Sequence, residues 1–540
     1  MTEHHERTTV DPSHQQEQRA MSRSAFKVSV AGLIGLVTGL VSQMVIAAVF
    51  GAGEVTDAYL TALTLPVYLQ AVLISGLSFV FIPAFVKDVT EGREEDAWAL
   101  VGTFFWLLGI MLVPIALVIA IFAKPVLNVT APGLDSSELE LAAQMLIVVI
   151  FTVPFAGYAA FTGSIQNARN HFFWPAARSA ANSVVNVIVV LLLYPSLGGM
   201  ALAWGYLAAV AMEAAITTTP VLRHGWTRLE AFTSERVVNM FKLMAPLVLF
   251  GILTRIIPVL ERYYASSLPD GDLSYLGYAN KINRIFQGLF GVSIVTTIFP
   301  MMSKAYAQDG DAGLMTHFSF GVRLTLAVSF PVIGLIAVVA MPFSAVLFER
   351  GAFTHSDTLH VAQIIPMVLV RAVLFTMMSN LLSRVFYVTK DTRTVPIVST
   401  LAVFAYFPLA YYGVQWWGYI GLAVASMIQG GISIAILSLL LVRRFALSAV
   451  IAVVRSSVLY FLLATIVSGL AWLCMPALAE WPYLLQLSLI GALAAPLYMG
   501  ALFWVDPEIA TSIFEVTGVQ RLLEMRLVGR LRARLRLGFQ

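Results

Sequence analysis

From Val28 to Val505 the chain is a succession of apolar blocks, each about twenty residues long, separated by short polar joints. Wound as a helix, a block of that length matches the hydrocarbon thickness of a bilayer. In hydrocarbon a helix also satisfies its backbone N–H and C=O groups within itself, which an open strand does not. One such block could be a buried core helix; a long series of them has no place inside a water-soluble domain. Composition agrees: 59% of the 540 residues are hydrophobic, 12% are charged and the mean hydropathy is +0.84, against about 25% charged residues in a soluble domain. The expected fold class is an all-α polytopic membrane protein.

The blocks divide into about fourteen transmembrane helices, near 28–50, 58–86, 97–123, 139–161, 177–195, 200–222, 239–260, 275–300, 320–343, 358–386, 395–413, 418–442, 452–475 and 482–504. Basic residues test the count. With a cytoplasmic N-terminus, the inner joints hold a series running from Lys87 and Arg93 through Arg223 and Arg236 to Arg443, Arg444 and Arg455, while the outer joints keep Lys124, Arg262 and Arg350. That asymmetry is the one that orients membrane proteins. A missed or extra helix would scramble it from that point onward, so both termini are expected in the cytoplasm.

The spans repeat. AAQMLIVVI at 142–150 matches VAQIIPMVL at 361–369, an offset of 219 residues. Within a few residues, the same offset relates AFK at 25–27 to MFK at 240–242, Pro83 to Pro300, and LAWG at 202–205 to LAVA at 422–425. Two copies of a six-helix unit follow, in the same orientation because an even number of crossings separates them. The expected organisation is a disordered cytoplasmic tail over 1–24, six-helix lobes over 25–223 and 236–443 around a central cleft, two additional helices within 452–505, and a basic cytoplasmic tail over 506–540. Two lobes around a cleft suit an alternating-access carrier.

Other classes find little support. Cys474 is the single cysteine, so neither an intrachain disulfide nor a cysteine-based metal site is expected. The first 24 residues are polar and lack the apolar stretch of a cleavable signal. Most joints are too short to fold a catalytic domain, and no Walker A loop, HExxH, GxSxG or CxxC is present. The reading is therefore not an enzyme, with no cofactor, no metal and no nucleic-acid partner.

Charges inside spans need a reason, since each costs at least about 2.5–3.5 kcal/mol at mid-bilayer. The candidates are Glu213, Arg255, Lys281, Arg284 and Arg371. Lys281, Arg284, Gly288 and Gly291 share one helical stripe, opposite Ile285, Phe286 and Leu289, which suggests a wet inward face. Neighbouring cations repel, so a polyanion such as a phosphate group would help keep both charged. Plainer readings exist: Arg255, Lys281 and Arg284 could snorkel to the interface, and Glu213 and Arg371 could form a buried pair or each bond to backbone carbonyls.

VFGAGEVTDAYLTALTLP at 49–66, FVFIPAF at 79–85, YANKINRIFQGLFGVSIVTTIFPMMSKAY at 278–306 and LFERGAFTHSDT at 347–358 together resemble the MurJ/MviN family. Those proteins are lipid-linked glycan flippases of the multidrug/oligosaccharidyl-lipid/polysaccharide (MOP) exporter superfamily, and the resemblance spans roughly residues 25–505. It implies fourteen spans, a cationic cleft and an undecaprenyl-pyrophosphate-linked glycan as substrate, either lipid II of peptidoglycan or an exopolysaccharide repeat unit. Carried over by position, the aspartate after the FGAG turn is Asp57 and the eighth-helix cation is Lys281. The family's second-helix arginine falls at Gln70 and its first-helix arginines near Leu36 and Ser42, while Arg284 stands where the family often has an acid. With the charges found inside the spans, the expected pyrophosphate grip is Lys281, Arg284 and Arg255, with Asp57, Gln70, Glu213 and Arg371 in gating or cleft positions. The eleventh span has no carboxylate to form the sodium site of some family members.

RLLEMRLVGRLRARLRLGF at 521–539 reads as a basic amphipathic helix for the anionic inner leaflet, or as a surface for cytoplasmic glycan-synthesis enzymes. The alternative function, an ion-coupled multidrug or cation antiporter of the same superfamily, should place carboxylates in the cleft, where cations outnumber acids here. A membrane glycosyltransferase should show a carboxylate-rich outer loop, and DGD at 270–272 sits in a turn-like LPDGDLS. The expected location is the bacterial inner membrane. Cysteine-accessibility labelling should find 87–96, 223–236 and 506–540 cytoplasmic and 124–138 and 349–357 external. An external C-terminus would contradict the orientation.

Overall fold

The computed structural model describes residue 32 and residues 34–169, 171–223, 229–286, 292–443 and 447–516. The expected N-terminal tail and the basic helix at 521–539 lie outside the described residues. Within them, every regular element is helical. Ten helices are long and apolar enough to cross a membrane by length and composition, and Ile34–Phe50 is a shorter apolar helix. The count of fourteen comes from the sequence and its charge pattern. One helical run, Thr394–Val442, contains a reversal at Gly418, whose φ of 56° is left-handed. The two rods joined there close on each other so tightly that a Cβ on Gly421 would stand 1.9 Å from the carbonyl oxygen of Gly413. Only glycine fits at that crossing.

The chain divides into two compact units, Met1–Asp270 and Gly271–Gln540. The first contains α1 (Ile34–Phe50), α2 (Glu54–Thr90), α3 (Glu94–Ile121), α4 (Ala123–Thr130), α5 (Ser136–Val149), α6 (Thr152–Ala168), α7 (Phe173–Leu197), α8 (Met200–Leu222), α9 (Glu235–Thr254) and α10 (Ile257–Ala265). Side chains cap helix starts here: Asp135 caps α5 by accepting the Glu138 N–H, and Ser234 caps α9 by accepting the Val237 N–H. One core gathers Ile46, Tyr59, Leu112, Leu127, Leu146 and Leu202. Another is aromatic, with the Phe81 ring 5.3 Å from Phe104 and 4.7 Å from Phe161, both edge-on.

The second unit contains α11 (Asp272–Phe286), α12 (Val292–Val338), α13 (Ala340–Phe348), α14 (His355–Leu369) running through a π-helical turn, Val370–Phe375, into α15 (Thr376–Val388), then α16 (Thr394–Val442), α17 (Leu447–Leu478), α18 (Tyr483–Val505) and α19 (Pro507–Val516). The C-terminal pair α17–α18 is fastened to α12. Arg323 Nε donates to Asp506 at 3.1 Å and its Nη1 to Glu508 at 3.1 Å; Tyr460 donates to the same Asp506, and the Tyr498 hydroxyl donates to the Ala327 carbonyl at 2.8 Å. Burial works against the Asp506 charge, but bonds from Arg323 and Tyr460 prevail and hold its carboxyl below the usual range.

Some backbone features recur at about the offset read from the sequence. Left-handed glycines at Gly51, Gly92 and Gly198 recur at Gly271, Gly310 and Gly418. Capped helices begin at Ser136 and at His355, and a short helix, α4 or α13, precedes each. Packing and repeat divide the chain at different places: α9, which opens the second copy in the sequence, packs on α2 within the first unit.

At the far end of α2, beyond the expected span, the 3% exposed Asp88 joins two arginines. Arg93 Nη2 donates to Oδ1 at 2.9 Å, Arg236 of α9 donates to Oδ2, and Arg236 also faces Glu230 at 3.6 Å. Burial raises the Asp88 pKa, yet the bonds from Arg236 and Arg93 outweigh it and leave the carboxyl below its ordinary value of 3.8. A depressed carboxylate stabilises the fold above its unfolded pKa and ceases to as pH falls through the folded one. Asp88→Asn should therefore melt below the wild-type protein at neutral pH, by about 1–3 kcal/mol, with the gap narrowing below about pH 4. Thermal unfolding in detergent micelles measures this; equal melting at neutral pH would show that the node carries no stability.

Candidate functional site: cations and carboxylates within the helices

In the first unit α2 carries two of the expected residues. Asp57 lies in its first turn, 4% exposed, where the helix dipole favours a negative charge. Its charge acts on Arg262 of α10. The Arg262 Nε donates to Thr64 of α2 at 3.0 Å, whereas its buried Nη1 finds no acceptor among the described residues. Further along α2, Gln70 is engaged: its Nε2 donates to Thr152 Oγ1 at 2.9 Å, linking α2 to α6.

Glu213 sits half-buried on α8, which pairs closely with α7 because Gly205 makes room there; a Cβ at that position would lie 2.5 Å from Val190. From α7, Asn182 hydrogen-bonds Glu213 and the Arg178 charge acts on it. Glu213 thus has partners inside its own unit. Arg255 is exposed at the C-terminal end of α9, its backbone N–H bonded to the Gly251 carbonyl at 3.1 Å.

The second unit holds the remaining three. Lys281 is half-buried on α11, with Nζ 4.9 Å from the centre of the Tyr278 ring. Tyr278 is 1% exposed and packs against Phe348 and Phe353, each ring 5.1 Å away, so the ring under the ammonium is fixed. The side chain of Arg284, one turn further, lies outside the described residues, as do Gly288 and Gly291. Arg371 is half-buried in the π-helical turn that follows Pro366, where Thr376 Oγ1 donates to its carbonyl at 3.0 Å. Helix α11 packs against this turn. π-Turns widen a helix locally and often mark functional positions.

The structure therefore groups Asp57, Gln70, Glu213 and Arg255 in one unit and Lys281, Arg284 and Arg371 in the other. Several partners were not legible in the sequence. Arg262 was expected in an outer loop; it stands on a helix, and Pro258 at the start of IPVLERYYA is the signal for that restart. Arg178 of α7 carries a charge that acts on Glu213. Arg384 lies 4.9 Å over the Phe299 ring, a second cation held on an aromatic face. An apolar cavity of about 540 Å³ opens between α12, the π-turn and α17, lined by residues including Phe330, Leu374, Phe461, Ser468 and Trp472. It carries no charged lining residue, so it suits hydrocarbon rather than a headgroup.

The chain is similar to known proteins over most of its length. The chain is 27% identical over 478 residues to a probable lipid II flippase MurJ of Haemophilus influenzae, covering 83% of this chain and 92% of that protein. It is 26% identical over 451 residues to the one of Vibrio cholerae, covering 78% and 82%. Among solved structures it is similar to lipid II flippase MurJ in an inward closed conformation, with a TM-score of 0.76 at 22% identity over 88% of this chain and 98% of that one. An inward-facing multidrug resistance MATE family transporter of the MOP superfamily shares the fold more distantly, with a TM-score of 0.63 at 13% identity over 76% and 94%. The family model described as lipid II flippase MurJ matches residues 46–492, and the chain belongs to that family.

Proposed function

We propose that this protein moves a polyprenyl-pyrophosphate-linked glycan precursor from the inner to the outer leaflet of the bacterial cytoplasmic membrane by alternating access, with lipid II of peptidoglycan as the foremost substrate. The family match over residues 46–492 carries the reading. Lys281, half-buried on α11, supplies a positive charge to a pyrophosphate, with Arg284 and Arg255 as further cations. The apolar cavity beside the π-turn offers a surface compatible with an isoprenoid chain. Both termini face the cytoplasm, and the basic C-terminal tail contacts anionic lipids or glycan-synthesis enzymes there. An exopolysaccharide precursor would present the same pyrophosphate and chain, so Gln70 in place of the family's second-helix arginine leaves room for that substrate.

Complementation tests the reading. In a strain depleted of its own lipid II flippase, expression of this protein should restore growth. Failure despite good membrane expression would overturn lipid II as substrate and favour the exopolysaccharide precursor.

The cations give a second expectation. A charge-assisted hydrogen bond to a phosphate group contributes about 1.5–3 kcal/mol, so Lys281→Ala should reduce transport about tenfold to hundredfold at unchanged membrane level, and Arg284→Ala should act in the same direction. Lys281→Arg should retain more, since the charge survives although the geometry changes. Normal transport by both alanine variants would make these cations interfacial anchors only.

A further inference from the structure

Helix α5 and its repeat counterpart α14 start at Ser136 and His355, and the third helical residue of each is an acid, Glu138 and Asp357. Both are 8% exposed. Asp357 is fully bonded: its Oδ2 accepts from the Thr354 N–H and from Thr354 Oγ1, each at 2.8 Å, and its Oδ1 accepts from the Tyr275 hydroxyl at 3.0 Å. Glu138 has the same place in its helix and none of these partners. Asp135 accepts the Glu138 backbone N–H at 2.8 Å, but no donor reaches either carboxylate oxygen of Glu138 among the described residues.

The charges around it make matters worse. Asp270, Asp57, Asp135 and Glu54 all act on Glu138, and all are acids. Among the described residues no cation bonds the Glu138 carboxylate. Lys124 of α4 pairs with Glu140. Arg262 of α10 acts on Asp57 and Glu261 and bonds Thr64, and its Nη1 touches no acceptor. Of the other helices packed on α5, α3 carries its acids Glu94, Glu95 and Asp96 in its first turn, at the opposite end, and α8 has only Tyr206 and Glu213 as ionisable side chains. Burial without a counter-charge is unfavourable for a carboxylate, and a second carboxylate facing it adds repulsion.

We propose that Glu138, with Asp57 of the adjoining α2 as second carboxylate, binds a monovalent cation, a proton or a sodium ion, where α2 packs on α5 in the first unit. One added positive charge supplies what Tyr275 and Thr354 give Asp357 by hydrogen bonding. Asp57, the residue after the FGAG turn, then acts as the second carboxylate of an ion site as well as a helix-start acid. Occupancy changes the net charge of a buried cluster on a spanning helix and so couples this unit to an ion gradient.

The test uses the purified full-length protein in detergent micelles, melted between about pH 5 and about pH 8 at constant ionic strength, in sodium chloride or in choline chloride. The wild-type midpoint should rise by a few degrees on lowering the pH if the ion is a proton. It should rise on exchanging choline for sodium at the higher pH if the ion is sodium. Glu138→Gln should lose that rise, whereas Glu138→Asp and the surface control Glu140→Gln should keep it. Asp57→Asn, with the second carboxylate's charge removed, should shift the dependence to lower pH or to higher sodium, which also serves if Glu138→Gln gives no cooperative transition. Glu138→Gln with the wild-type dependence on both ions, or Asp57→Asn with an unshifted one, would overturn the site. No lipid substrate enters this measurement, so a negative result leaves the transport reading standing.

Discussion

A hydrocarbon environment offers no water to a polar group, and this constraint shapes the molecule from backbone to site. Backbone groups are satisfied by winding nearly the whole described chain into helices. Side-chain charges are either moved to helix ends and paired or retained inside at a cost that only a partner can offset. Asp88 and Asp506 follow the first rule: each is buried, each accepts from arginine, and each fastens one helix of its unit to another. Such nodes are structural. They leave Lys281, with an aromatic ring beneath it, and Glu138, with no side-chain donor among the described residues, as charges whose placement packing alone does not explain.

The recurring backbone features give a second standard of comparison. Left-handed glycines recur between the halves, as do the short helix before a capped start and the buried acid three residues into that start. Where both copies keep a feature, geometry requires it; glycine at Gly198 and Gly418 allows reversals that a Cβ would strain. Where the copies differ, chemistry has been reassigned. Asp357 is locked in a capping box, and Glu138 is released from one. The second unit also acquires α17 and α18, bound to α12 through Arg323 and Tyr498.

Much of the fold was legible because the signals are local. Apolar length announces a spanning helix, while the caps at Asp135, Ser234 and Thr354 emerge with the structure. The repeat could be read from a few matched tetrads and triplets. Partner choice was not legible, because it depends on which helices meet: nothing in the sequence sets Asn182 and Arg178 beside Glu213, or Gln70 against Thr152. Nor does hydropathy reveal a π-turn at Arg371, which keeps an apolar helical pattern while changing its pitch. The division into packed units likewise departs from the repeat, since α9 belongs to the second copy by sequence and to the first unit by contact.

A carrier of this kind must hold a doubly charged headgroup without trapping it, and half-buried cations do that better than fully desolvated ones, whose pairs would be costly to break. The same physics disfavours a cation antiporter, which needs acids where α11 presents Lys281. The decisive measurement is translocation by the purified protein in sealed vesicles, using labelled lipid II and a matched polyprenol glycan lacking the pyrophosphate. Lipid II should cross faster than in protein-free vesicles while the uncharged analogue does not. Exchange of organic cations with no movement of either lipid would contradict the account.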